Sequence, residues 1–391
     1  MIIMARLYQS FIITKSCSLF VMHDNDNSVP SPPPLTQSNR ISELELMRFI
    51  AASAIMCLHF GFLFNKGWIF VEFFFILTGL LMAHSAQRLL TEKEKFTIGT
   101  ETKNFIIKKI RPLLPYLIIG YFMMIIVYFI RPNTEFAVDD FLNQIPGYLL
   151  LMDVGFDVES PMMLGTVWYI SAMIIGLLII YPIYLRCGKD NAWIVMLLTF
   201  IFLIALIINN YTRLEVWRQW QGFTSWGLLR GIGEMALGAF CYDICVRLKS
   251  VKTTICGRLS ITLIKFALVA IVLMWSCSFF TGTKDFVIMF LIAMFIITMY
   301  AEKGFYVPRG NRICQYLGTL SIPVYLFHRP IQRAITYLLG AEFFKNNIIL
   351  SIALVFVVSI IIVELIKYGK KKDLYGKVKN VFISKESGNE Q

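Results

Sequence analysis

The chain has 391 residues, 57% of them hydrophobic and 16% charged, with a mean hydropathy of +0.66. Soluble domains run near about half apolar and a quarter charged, so this composition excludes a water-soluble globular fold. A net charge of +12 would suggest nucleic acid in a soluble protein, but Lys and Arg gather here in short connections between apolar runs, where they orient membrane spans. No nucleic-acid partner is expected.

In chain order, residues 1–40 form a leader with a weakly apolar start and a proline-rich stretch, Ser31-Pro32-Pro33-Pro34, to which no role is assigned. Apolar windows follow near 41–62, 67–90, 112–131, 165–186, 192–209, 226–247, 260–280, 285–301, 315–339 and 347–367. Each approaches the ~20 residues that cross a ~30 Å hydrocarbon layer. The expected fold is an all-α membrane bundle of about ten spans over 41–367, followed by a basic tail, 368–391.

The basic connections, 88–111, 186–189, 247–258, 303–312 and the tail, alternate along the chain, and the intervening 131–165 segment is acidic. One orientation satisfies all of them, with both termini cytoplasmic. Eight cysteines occur singly, with no Cys-x-x-Cys pair, and read as small buried hydrophobes. His59, His84 and His328 fall in different windows without local ligand spacing, so no metal is expected.

Charged groups inside apolar windows cost at least ~2.5–3.5 kcal/mol on insertion scales, which makes them the first candidates for function. Arg48 and His59 share the first window. Eleven helical steps of ~100° return to within ~20° of the starting face, so both side chains lie on one face, ~16 Å apart along the axis. A permanent cation at one depth and a titratable imidazole at another suit an elongated anionic substrate such as an acyl-coenzyme A. Equally open is a snorkelling Arg48 with a His59 that only hydrogen-bonds a neighbouring helix.

Glu72 in the second window faces the bundle, as a functional carboxylate or as the partner of an arginine elsewhere. Arg230 and Glu234 stand one turn apart and can pair. In the ninth window Pro323 interrupts a helix bearing Tyr325, His328 and Arg329, and such breaks usually line a cavity. His328 reads either as catalytic or as a packing residue. Trp217, Trp220 and Trp226 read as interfacial anchors or as a platform for sugar rings.

Arg48 and His59, followed by Val71-Glu72-Phe73-Phe74-Phe75-Ile76-Leu77-Thr78-Gly79, resemble the opening of the acyltransferase 3 family of bacterial multi-pass membrane acyltransferases. Glu45 stands where that family usually has aspartate. The stretch from Phe105 through Lys108, Lys109 and Arg111 to Tyr116 is similar to its R-x-x-R segment, with Lys108 in the first arginine position. Trp168-Tyr169-Ile170-Ser171 resembles W-x-x-S, with Met173 where many members carry glutamate. Arg230 to Gly238 resembles R-x3-E-x3-G, and Leu317-Gly318 through Pro330 is similar to L-G-x-x-S-x-x-x-Y-L-x-H-x-P.

The resemblance implies transfer of an acyl group, usually acetyl, from acetyl-CoA as a substrate rather than a bound cofactor. The acceptor it implies is a hydroxyl of a surface glycan or its lipid-linked precursor, at the bacterial inner membrane. On this reading Lys108, Lys109 and Arg111 hold the donor phosphates, Arg48 steadies the donor deeper in the bundle and His59 is general base or acyl carrier. Glu72, Arg230, Glu234, Tyr325 and His328 are supporting intramembrane groups. The competing reading is a glycan transporter or flippase, which predicts repeated halves that the sequence does not display.

Overall fold

In the computed structural model, residues 40–132, 137–151, 164–216, 219–222, 224–279 and 282–371 are described. The leader expected over 1–40, most of the tail, much of the acidic connection and Trp217 lie outside them. The described chain is almost wholly helical. Its helices are α1 (Ser42–Phe60), α2 (Phe70–Glu92), α3 (Ile98–Ile110), α4 (Leu114–Phe129), α5 (Val138–Leu142), α6 (Ile145–Tyr148) and α7 (Val167–Asn210). After a short hairpin, β1 (Trp220–Gln221) and β2 (Thr224–Ser225), come α8 (Trp226–Ser250), α9 (Ile255–Ser276), α10 (Lys284–Tyr300), α11 (Arg312–Leu339), α12 (Ala341–Asn346) and α13 (Ile348–Lys371).

Every apolar window falls on a helix, but not every helix is a self-sufficient span. Among the described residues, Gly67–Glu92, Val167–Asn210, Ile255–Ser276 and Ile348–Lys370 are long and apolar enough to cross a membrane, and α3 with α4, bent by 52°, adds a fifth candidate. The remaining windows fall short for physical reasons: α1 and α8 carry ionisable groups, α11 carries Arg312, Arg329 and Arg333, and α10 has only 17 residues. The windows 165–186 and 192–209 fall on two helical segments of α7 that meet at Gly188, whose φ of 72° and ψ of −175° break the helical path.

Local chemistry sets the ends. Ser225, Thr254 and Asn311 cap α8, α9 and α11 by accepting hydrogen bonds from backbone N–H groups of the first turn. Packing then sorts the helices. The principal pairings are α7 with α8, α2 with α8 and α1 with α11. Small residues make the α2–α8 crossing close: a Cβ on Gly79 would sit 1.8 Å from the Met235 carbonyl oxygen, and one on Gly238 1.9 Å from that of Ile76.

Polarity runs opposite to that of a soluble fold. Side chains exposed on α9 (Leu263, Phe266, Met274) and α13 (Ile349, Leu354, Ile361) are apolar, whereas Glu72, Arg230, Glu234 and His328 are fully buried. The apolar rim is suited to lipid and the polar groups are enclosed by α1, α2, α8 and α11. Seven cysteines fall among the described residues, and all are free thiols.

Candidate functional site

Two polar centres occupy opposite ends of the α1–α11 seam. At the first, the Arg48 guanidinium donates from Nη1 to both carboxylate oxygens of Glu45 at 3.2 Å, and Arg40 approaches the same carboxylate at 3.8 Å. Glu45 is buried because α11 leaves room for it at Gly318, where any Cβ would lie 2.0 Å from Glu45 Oε2. The glycine at that position is thus explained by the carboxylate that fills its place. Glu45 holds Arg48 in the bundle while a quarter of the Arg48 side chain stays accessible.

The amphipathic α3, with Lys103, Ile107 and Lys108 exposed, runs along the surface at this end. Lys109 is half-buried, with its ammonium 5.2 Å from the Phe105 ring centroid. Burial, together with the charges of Arg48 and Arg40, lowers the Lys109 pKa to about 8. Lys108 and Arg111 stand exposed. The structure therefore gathers Arg40, Arg48 and Lys109 into one cationic group and leaves Lys108 and Arg111 on the adjoining surface. Phe105 anchors α3 by stacking on Tyr181 of α7 at 4.1 Å.

At the far end, His59 in the last turn of α1 stacks on His328 of α11, with ring centroids 5.1 Å apart and planes inclined by 12°. His328 is fully buried and His59 half-buried. His328 Nδ1 lies 3.1 Å from the Val324 carbonyl oxygen. The Gln332 side chain donates to the His59 carbonyl at 2.8 Å and accepts from Arg329 Nη1 at 3.1 Å. The Arg329 charge acts on both imidazoles.

Tyrosines extend from the imidazole centre. The Tyr325 ring lies 6.2 Å from that of His328 and 5.9 Å from Tyr169, and its hydroxyl donates to the Thr166 carbonyl at 2.9 Å. The Tyr169 hydroxyl meets the Met173 sulfur at 3.6 Å. A line of aromatic side chains thus leads from the imidazoles through Tyr325 to Tyr169, and helix periodicity sets the common face of Arg48 and His59.

A third group lies between α2 and α8. Arg230 donates to Glu72 through Nη2, and from Nε to Glu72 at 3.1 Å and to Glu234 at 2.9 Å, with its guanidinium 5.7 Å from the Trp68 ring centroid. The Glu72 carboxylate has its arginine, and Arg230 pairs with Glu234 as one helical turn allows. The second oxygen of Glu234 is buried with no hydrogen-bond partner among the described residues. Trp226 is fully buried against Tyr211, which removes it from any exposed sugar platform. His84 meets the Tyr300 hydroxyl at 2.6 Å.

Sequence reasoning does not single out Gln332, and it names Tyr169 and Gly318 only as motif positions without a role. Gln332 stands one turn beyond His328, a spacing that could have marked it, whereas its reach to His59 required the fold. Among the described residues, no group of three or more His, Cys, Asp or Glu side chains is arranged to hold a metal ion.

Neither curated proteins nor solved structures give a match to this chain. The acyltransferase domain of the acyltransferase 3 family does, over residues 41–367, from the residue that precedes α1 into the last helix. That match takes in Glu45, Arg48 and Lys109, the His59–His328 pair, Tyr169 and Tyr325, and the Glu72–Arg230–Glu234 group. The chain belongs to the acyltransferase 3 family and is a membrane acyltransferase.

Proposed function

We propose that the protein transfers an acetyl group from acetyl-CoA to a hydroxyl of a bacterial surface glycan or its lipid-linked precursor, in the inner membrane. The observation that carries this reading is the separation of charge and imidazole along one face of α1. Arg40, Arg48 and Lys109 lie together at one end, and the His59–His328 pair lies ~16 Å away at the other. A coenzyme A thioester has the matching shape, with phosphates at one end and the reactive carbonyl at the end of a long arm.

The cations act on the donor. Lys109, with Lys108 and Arg111 on the neighbouring surface, holds phosphate oxygens through charge-assisted hydrogen bonds. Arg48, anchored by Glu45, steadies the arm as it enters the bundle. His59 takes the proton of the acceptor hydroxyl as general base. The acyl carbon passes from sulfur to that oxygen: a C–O bond forms, the C–S bond of the thioester is broken, and the thiolate recovers a proton as free thiol. Glu72, Arg230 and Glu234 hold α2 against α8, and Tyr325 fixes α11 beside the imidazoles.

For the whole chain this reading takes ten spans with both termini cytoplasmic, counting α7 as two across Gly188. Basic connections then lie on the donor side and the acidic one on the acceptor side. The deciding experiment measures O-acetyl groups per sugar and total glycan exported in cells carrying wild type or His59→Ala. Acetylation is expected to disappear while export continues. Loss of export with unchanged acetylation per sugar would overturn the reading in favour of transport.

A further inference from the structure

His328 presents a geometry that a packing role leaves unexplained. A carbonyl oxygen has no proton to give, so the contact between His328 Nδ1 and the Val324 carbonyl at 3.1 Å requires the proton on Nδ1. In the neutral ring Nε2 is then a bare lone pair. That nitrogen is buried and has no hydrogen-bond partner among the described residues, a rarity that calls for a physical reason. Nor can His59 satisfy it: the rings lie face to face, inclined by 12°, and each directs its nitrogens along its own plane.

The two imidazoles also differ in their access to water. A general base must return its proton to solvent in every turnover, which suits the half-buried His59. An acyl-imidazole hydrolyses readily in water, which suits the fully buried His328. The Arg329 charge reaches both rings, where it can stabilise an oxyanion formed beside them.

Resting on the acyltransferase reading, we propose that His328 is the nucleophile of the reaction, carrying the acyl group on Nε2, and that His59 is the base that releases it. The Nε2 lone pair adds to the thioester carbonyl carbon, a C–N bond forms, the C–S bond breaks and coenzyme A departs as thiolate. The acceptor oxygen next attacks the same carbon while His59 takes its proton; the C–O bond forms, the C–N bond breaks, and His328 returns to its neutral form. The proton leaves His59 for water and the thiolate takes one up, so thioester and alcohol become ester and thiol. Donor and acceptor need not be bound together, which suits substrates arriving from opposite faces of a membrane.

The test needs only the donor. Purified full-length wild type and the His59→Ala variant are incubated with radiolabelled acetyl-CoA without acceptor, quenched, and the label is located by proteolysis and mass spectrometry. The expected result is a hydroxylamine-sensitive acetyl group on His328 in both proteins, persisting longer in His59→Ala. His328→Asn is expected to take up no label. Absence of label from both wild type and His59→Ala, or label on any other residue, overturns the proposal. If cells carrying wild type still O-acetylate their glycan in that case, direct transfer is the mechanism and the acyltransferase reading stands. If they do not, that reading fails separately.

Discussion

The enclosed helices α1, α2, α8 and α11 and the peripheral helices α9 and α13 obey different rules. Peripheral helices expose large apolar side chains such as Phe266 and Ile349, and their contact with lipid asks only for hydrophobicity. The enclosed helices carry arginine, glutamate and histidine, and each of these groups must find a specific partner. Arg230 meets Glu72 across a sequence separation of 158 residues, Glu45 fits against Gly318, and His59 lies on His328. In this protein fully buried charged groups lie within the enclosed helices, so pairing between specific partners adds to hydrophobicity in holding those helices together.

That contrast can be broken most severely at Arg230. Arg230→Met leaves two buried carboxylates without their cation, a loss of about 3–5 kcal/mol for a broken buried pair. Folded protein should nearly vanish in fluorescence-detected size-exclusion chromatography, with partial recovery when Glu72→Gln is added. His59→Ala probes the same interior without a folding penalty of that size, because the ring is half-buried. Its expected signature is a drop in acetyl transfer of ~10²–10⁴-fold with near-normal protein yield.

Gly79→Leu sharpens the packing side of the comparison. A side chain there must displace the Met235 carbonyl, and overpacking of this kind costs about 1–3 kcal/mol, readable as a lower melting temperature in detergent. Lys109 gives a smaller, pH-dependent effect. With its pKa lowered to about 8, it is charged below that pH and loses its charge as pH rises through it. Donor KM should therefore climb several-fold from about pH 7 to 9 in wild type and stay flatter in Lys109→Arg. Least of all, Phe266→Leu on the exposed face of α9 should shift stability by no more than about 0.5 kcal/mol. A large effect there would mean that the rim is packed against protein.

Helix positions were legible in the sequence because apolar runs between basic connections report directly on what can enter a membrane. The shared face of Arg48 and His59 was legible too, since a helical period fixes it without reference to any other helix. Gly188 did not reveal whether it separates two helices or kinks one. Among the cations near α3, motif spacing favoured Lys108 and Arg111, and in the structure those two are exposed while Lys109 is half-buried over the Phe105 ring, on the face that Phe105 docks on Tyr181.

The sequence by itself determined that this chain is a helical membrane protein of the acyltransferase 3 type, and it marked which helices carry charge. Those properties depend on composition and on spacing within single segments. Only the tertiary structure decided that His59 stacks on His328, that Gln332 ties Arg329 to the His59 backbone, and that Arg230 bridges Glu72 and Glu234. A helical period tells which way a side chain points but not which helix stands opposite. That answer comes from close crossings, such as Gly79 against Met235, between segments far apart in the chain.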